Sequence, residues 1–201
     1  RVEFIKEIGG FENCRIAVIN RGATDKRRRW PPENFARIAD FLVTEGMSVF
    51  INASGLEESA LADEIISSMQ TGSGARNCNN LSVRGLIGLL SMAEIMISND
   101  SGPLHLAYAV RVPAVGIYMA CNMITGTPMT ARLSRPIISW NIRCPLCGAK
   151  VSQLNTTITH CRHNFSFVSD INVEEVANAV QDLLGRSASY YNSDIAVSTV
   201  P

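Results

Sequence analysis

One alternation narrows the possible folds most. Short apolar, β-branched runs at Arg15–Asn20 (RIAVIN), Met47–Ile51, Glu94–Ser98 (EIMIS) and Pro113–Tyr118 (PAVGIY) are separated by stretches whose apolar residues recur at helical spacing. Runs of this length between turn residues read as buried strands. Trp30-Pro31-Pro32 opens the first helix, since a first-turn N–H needs no partner; Phe35, Ile38 and Leu42 are its inner stripe and Gly46 ends it. Ser54 and Glu57 have capping-box spacing ahead of a helix carrying Leu61, Ile65 and Met69. Residues 72–74 read as a loop, and Ser82 caps a helix carrying Leu86, Leu89 and Leu90. Pro103–Val110 is a short helix. Asn172 and Glu175 begin a last helix, with Val176, Val180 and Leu183 inside and Gly185 as its stop. Strand–helix alternation means βαβ units. The expected fold is α/β, a Rossmann-like doubly wound parallel sheet with ligands outside the carboxyl ends of its strands.

Composition bounds the function. Lys+Arg and Asp+Glu are both 18, which argues against a general nucleic-acid binder. The run Lys26-Arg27-Arg28-Arg29 suits one anionic ligand better than an extended polyanion. No apolar stretch is long enough to cross a bilayer, and no signal peptide opens the sequence. Six cysteines over 201 residues fit a reducing compartment better than a disulfide framework. Arg1, in place of Met, reads as the start of a piece of a longer chain.

The chemistry concentrates in Asn99-Asp100-Ser101-Gly102-Pro103-Leu104-His105, a turn between a buried strand and a helix. Such a helix start offers free N–H groups and a positive dipole end to an anion. Gly102 permits close approach to a phosphate, Asp100 suits sugar hydroxyls or nearby N–H groups, and His105 lies on the first helical turn. By local chemistry alone a second reading stands beside this one: Asp100 and Ser101 merely cap a helix and His105 is a satisfied semi-buried residue. The basic loop after the first strand lies on the same sheet edge, and it too reads either as half of a diphosphate cleft or as a solvated charge run. Asp100 and Arg28 are both expected on exposed loops, so that alanine at either would weaken ligand binding without unfolding the domain.

Two motifs in fixed order carry a resemblance. Gly22-Ala23 followed by Arg28-Arg29-Trp30-Pro31, then Asn99 through Ala109, resembles glycosyltransferase family 9, the family of the lipopolysaccharide heptosyltransferases. Asp170 to Val176 resembles that family's final helix start, and the likeness runs from about Arg15 to Leu184. The family implies a GT-B architecture of which this chain is the C-terminal, donor-binding half. Residues 1–186 would form that domain, with a cysteine-containing insertion around 140–168 and a loose or strap-like tail over 187–201; an N-terminal acceptor domain is absent from the sequence. The resemblance places Thr24 and Arg28 on the diphosphate, although the family usually has Lys where Arg28 stands, and Arg27 or Arg29 remain alternatives. Glu57 or Glu58 falls near the nucleoside, Leu81 beside the base, Asp100 on the sugar, the backbone of Ser101, Gly102, Pro103 and Leu104 at the diphosphate, and His105 near the phosphates. The implied donor is ADP-heptose, with a UDP-sugar as rival, and the implied acceptor a lipopolysaccharide core or related glycolipid bound through the missing domain. The implied reaction is an inverting displacement that needs no metal and no cofactor, with its catalytic base in the absent half. The implied location is cytoplasmic, with at most peripheral contact at a bacterial inner membrane. The alternative is a nucleotide-binding module that transfers nothing.

Cys144-Pro145-Leu146-Cys147, Cys161 and His163 form a separate cluster. Three cysteines and a histidine, with His160 as alternative ligand, can hold Zn²⁺ or iron in a structural site. The second half, Cys-x-His, is a poor knuckle, and free thiols in a loop insertion are the reading preferred from sequence. Thioredoxin-like chemistry is set aside, because this CxxC does not open a helix in the required setting.

Overall fold

Six parallel strands order the chain as β3-β2-β1-β4-β5-β6. They are β1 (Arg15–Asn20), β2 (Met47–Ala53), β3 (Ala75–Asn79), β4 (Ile95–Asn99), β5 (Ala114–Met119) and β6 (Ser134–Ser139). The computed structural model describes residues 14–72, 74–150 and 161–197, with side chains in the last helix as far as residue 185. The helices are α1 (Pro32–Thr44), α2 (Gly55–Ser68), α3 (Val83–Leu90), α4 (Gly102–Ala109), α5 (Ala120–Gly126) and α6 (Val173–Val197). A single 3₁₀ turn, Lys26–Arg28, interrupts the loop after β1.

Each strand feeds two layers because its side chains alternate across the sheet. From β1, Ala17 and Ile19 join Phe35, Ile38 and Leu42 of α1, Ile65 of α2 and Val176 and Val180 of α6. Ile16 and Val18 face the other way, against Leu86, Leu89 and Leu90 of α3 and Leu104 and Ala107 of α4. Burial on both faces explains why the central strands are continuously apolar. The strand order reverses between β1 and β4, which pair directly, Ile19 beside Ile97. That reversal leaves a crevice at the carboxyl ends of β1 and β4, where open α/β sheets bind ligands.

The expected strands and helices are present, with ends shifted by a residue or two; in α2 the buried residue beside Ile65 is Ala62, while Leu61 is only half-buried. β3, α5 and β6 were not expected. Both edge strands lack an apolar signature: β3 reads ARNCN, and β6 carries the exposed Pro136, which only an edge position tolerates. One expectation is overturned. Gly185 does not stop the last helix, which runs on to Val197 and takes in much of the segment read as an irregular tail. Gly185 is exposed and lacks the left-handed conformation a stop requires, and glycine inside a helix costs only about 1 kcal/mol. Among the described residues no helix is long and apolar enough to cross a membrane.

Candidate functional site

Two asparagines at the ends of the central strands build the crevice. Asn20 closes β1 and is buried; its amide nitrogen reaches the Gly22 carbonyl (3.1 Å), Ser98 Oγ (3.1 Å) and Ser101 Oγ (3.0 Å), and its oxygen accepts from Asn52 Nδ2 (2.8 Å). Asn99 closes β4; its oxygen accepts from the Trp30 N–H (3.0 Å) and its nitrogen donates to the Arg21 carbonyl (2.6 Å). Buried amides so fully satisfied fix the paths of both loops. Sequence reading missed Asn20 and Asn52; the available signal was a polar residue near the end of each apolar strand.

Asp100 departs from expectation. It is buried, 7% exposed, not part of an open loop. Its N–H donates to the Ile117 carbonyl, extending the sheet ladder. Its Oδ2 accepts from Asn122 Nδ2 on α5 at 2.7 Å and pairs with Arg28 Nη1 at 3.3 Å, while His105 Nε2 stands 4.0 Å from Oδ1. Gly126 closes over the same carboxylate: a Cβ there would stand 3.2 Å from Oδ1. Arg28 is likewise mostly covered, its side chain 23% exposed. Part of the covering of Asp100 comes from α5, which the sequence pattern did not reveal.

Ser101 sits at the N-cap of α4 yet makes no side-chain cap bond, because its hydroxyl turns back to Asn20 and Ser98. The helix start is therefore uncapped by any described side chain, and Gly102 is open, with nothing within 4 Å of where a Cβ would be. The capping reading of this turn fails, and the start of α4 is left as an anion-attracting end. His105 is half-exposed on the first turn. The Leu104 side chain is fully buried core, so only its backbone belongs to the turn.

The four cations of the basic loop are shared among three carboxylates. Arg27 is taken by Asp25 (Nη2 to Oδ2, 2.7 Å). Burial would raise the Asp25 carboxyl, but hydrogen bonds from the Arg27 side chain and N–H outweigh it and hold that group below its ordinary value. Arg29 donates to the Ala23 carbonyl (2.9 Å) and to Glu57 (3.1 Å), and Lys26 lies 3.6 Å from Glu57. Arg28 is the loop cation paired with Asp100. Thr24 is exposed at the start of the loop. The loop is braced from behind: the Phe167 N–H donates to the Arg27 carbonyl (2.9 Å), Ser166 Oγ to the Arg29 carbonyl (2.7 Å), and Trp30 Nε1 to the Ile171 carbonyl (3.0 Å).

The capping partner of α2 is Glu58, not Glu57. Ser54 makes no side-chain cap bond; instead its N–H donates to Glu58 Oε2 (2.8 Å), whose carboxylate lies so close over Gly22 that a Cβ there would be 2.5 Å from Oε1. Gly55 starts the helix at φ +75°, which offsets the first turn. Glu57, exposed, is held below its ordinary value by the Arg29 hydrogen bond and by Lys26. Leu81 follows β3, half-buried against the second core layer, and its neighbour Asn80 accepts from the Gly55 N–H (3.1 Å). From β3 to β5 one sheet edge thus carries Leu81, Glu57 and Glu58, the Thr24–Arg29 loop, Asp100 to His105, and Asn122.

Cys144, Cys147, Cys161 and His163 converge, their ligand atoms all within 4.8 Å of one another, while His160 lies outside the described residues. Burial would raise the Cys144 thiol, but backbone N–H groups of Leu146 and Cys147 and bonds from the neighbouring thiols bring it down to about 6.

The family model for glycosyltransferase family 9 (heptosyltransferase) matches residues 6–156. This chain belongs to glycosyltransferase family 9. Lipooligosaccharide heptosyltransferase 2 of Campylobacter jejuni is 24% identical over 176 residues, covering 86% of this chain and 52% of that protein. The chain spans about half the length of the curated relatives it matches. Among solved structures, E. coli ADP-heptose heptosyltransferase II superposes with a TM-score of 0.72 at 19% identity, covering 93% of this chain and 51% of that one. E. coli heptosyltransferase WaaC with ADP gives 0.62 at 16%, covering 87% and 46%. At these identities the likeness establishes the GT-B-type Rossmann-like fold.

Within this family 9 domain, Asn122, like Asn20 and Asn52, is a residue of the crevice that no sequence motif marked. Asn122→Ala removes the shortest bond to a buried carboxylate, and a hydrogen bond to a charged group contributes about 1.5–3 kcal/mol. The melting temperature is expected to fall by several degrees. Calorimetric unfolding measures this, and an unchanged midpoint would remove Asn122 from the support of Asp100.

Proposed function

We propose that this domain is the donor-binding half of a glycosyltransferase that takes a nucleotide-diphospho-sugar, with ADP-heptose as first candidate and a UDP-sugar as rival. The observation that carries the reading is the Arg28–Asp100 pair at the β1/β4 crevice, beside the uncapped start of α4, while the other loop cations are held elsewhere, Arg27 by Asp25 and Arg29 with Lys26 by Glu57. Supporting it, a solved relative of this fold is named as holding ADP. In the proposed arrangement Arg28 leaves Asp100 to grip the diphosphate, joined by the Thr24 hydroxyl, the backbone of Ser101 to Leu104, and His105. Asp100 then accepts from sugar hydroxyls, held in place by Asn122. Glu57 or Glu58 meets the ribose and Leu81 borders the base.

The chemistry follows from those roles. An acceptor hydroxyl, activated by a base in the companion domain, attacks the anomeric carbon from the face opposite the diphosphate and inverts it. The leaving diphosphate gains negative charge as the bond breaks, and a guanidinium plus helix-start amides already in position stabilise it without a metal. The acceptor is a lipopolysaccharide core or related glycolipid, met at the cytoplasmic face of a bacterial inner membrane.

Calorimetric titration with ADP, UDP and GDP tests the reading. One nucleotide is expected to saturate, and Arg28→Ala to weaken it about tenfold to a hundredfold, the effect of one charge-assisted bidentate contact. No binding by the folded full-length protein, or an Arg28→Ala variant that binds undiminished, would overturn it.

A further inference from the structure

We propose that Cys144, Cys147, Cys161 and His163 form a tetrahedral Cys₃His site for one thiophilic divalent ion, zinc or ferrous iron, and that this ion anchors the segment bracing the basic loop. The argument is geometric. Cys147 and Cys161 sulfurs lie 3.6 Å apart, and His163 Nδ1 is 3.7 Å from Cys144 Sγ and 3.5 Å from Cys161 Sγ. A tetrahedral ion with metal–sulfur bonds of about 2.3 Å and a metal–nitrogen bond of about 2.0 Å sets sulfur–sulfur edges near 3.8 Å and sulfur–nitrogen edges near 3.5 Å. The observed edges match. They do not match a disulfide, whose sulfurs stand about 2.05 Å apart, and the cysteines are free.

The backbone adds a second observation. The Cys144 N–H donates to the Ala149 carbonyl and the Gly148 N–H to the Cys144 carbonyl, both at 2.8 Å, with Gly148 at φ +70° closing the turn. The N–H groups of Leu146 and Cys147 are directed at Cys144 Sγ. A turn that aims amides at one thiolate while presenting a second three residues on is the supporting shell a metal knuckle needs. The weak Cys-x-His spacing is answered in space: Cys161 and His163 converge on Cys144 and Cys147 to close the tetrahedron.

The position gives the ion a task. Two residues after His163, Phe165 packs edge-on against Phe167 (5.7 Å), and then Ser166 and Phe167 bond the carbonyls of Arg29 and Arg27. On the other side Cys144 follows β6 closely. The ion therefore ties the end of the sheet to the segment Phe165-Ser166-Phe167 that holds the arginine loop, a structural and not a catalytic role.

Metal analysis by mass spectrometry of the full-length protein, purified without chelator, is expected to find about one zinc or iron per chain. Visible thiolate-to-iron absorption distinguishes the iron case from the colourless zinc case. Cys147→Ser, at an exposed position, should lose the ion while the fold persists by circular dichroism; Cys14→Ser should keep it. In hydrogen exchange, removing the ion should strip protection from the Phe167 amide while amides of β1 and β4 keep theirs. This readout needs no nucleotide, so it stands or falls apart from the donor reading. A folded protein that holds no ion as purified and takes up neither Zn²⁺ nor Fe²⁺ anaerobically would overturn the site. Full Phe167 protection in the metal-free protein would overturn the bracing role.

Discussion

Trp30→Ala is expected to destabilise the domain by about 3–5 kcal/mol, a large share of the roughly 5–15 kcal/mol that holds a domain folded. Trp30 is fully buried, stacks edge-on against Phe35 at 5.1 Å, and joins three separate parts of the chain. Its N–H is held by Asn99 at the end of β4, its indole donates to Ile171 ahead of α6, and its position in sequence closes the basic loop. Alanine leaves a cavity too deep for the surrounding β-sheet to refill and an Ile171 carbonyl without its donor. Trp30→Phe keeps most of the volume and loses the N–H, so about 1–2 kcal/mol should go. Urea denaturation followed by circular dichroism reads both. A loss below about 1 kcal/mol for the alanine variant would mean that the loop is held by its polar bonds alone.

That one residue ranks so high could be anticipated only in part. The Trp-Pro pair is visible in the sequence as a helix opening, and the α1 stripe and the strand β1 follow from apolar spacing. What Trp30 touches is set by contacts with residues 99 and 171, and no local pattern encodes those. The same division runs through the site. Asp100, Arg28 and the Gly102 turn stood out because a motif gathers them in sequence. Asn20 and Asn52 did not, because a polar residue at a strand end gains meaning only from register: Asn20 lies opposite Asn52 on one neighbour and Ser98 on the other. Asn122 was hidden one step further, on a short helix that follows directly from β5. Edge strands β3 and β6 were illegible for a related reason: their ladders to β2 and β5 form them, and their own side chains carry little preference. The burial of Asp100, against the expectation of an open loop, comes in part from one of these unread elements, α5, which closes on the carboxylate through Asn122 and Gly126.

That burial sharpens the second large prediction. Asp100→Asn is expected to leave ADP binding unchanged or tighter while weakening ADP-heptose by about ten- to hundredfold, the measure of hydrogen bonds to a charged acceptor at about 1.5–3 kcal/mol. The asymmetry has a physical source. The carboxylate occupies Arg28 at 3.3 Å, so a diphosphate must displace it, and a fixed negative charge beside the bound anion opposes binding. Asparagine removes that competition, keeps an oxygen to accept from Asn122, and fills the same space, so the fold should hold. A sugar hydroxyl loses its charged acceptor, and with it the preference for the sugar nucleotide over the bare one. Arg28→Ala should behave in the opposite way, weakening both ligands by one factor, because the diphosphate is common to both. Paired titrations of ADP and ADP-heptose on the two variants separate the roles. If Asp100→Asn lowers both affinities equally, the carboxylate serves to aim Arg28, and the sugar must be recognised by other residues along the β4–β5 end of the crevice.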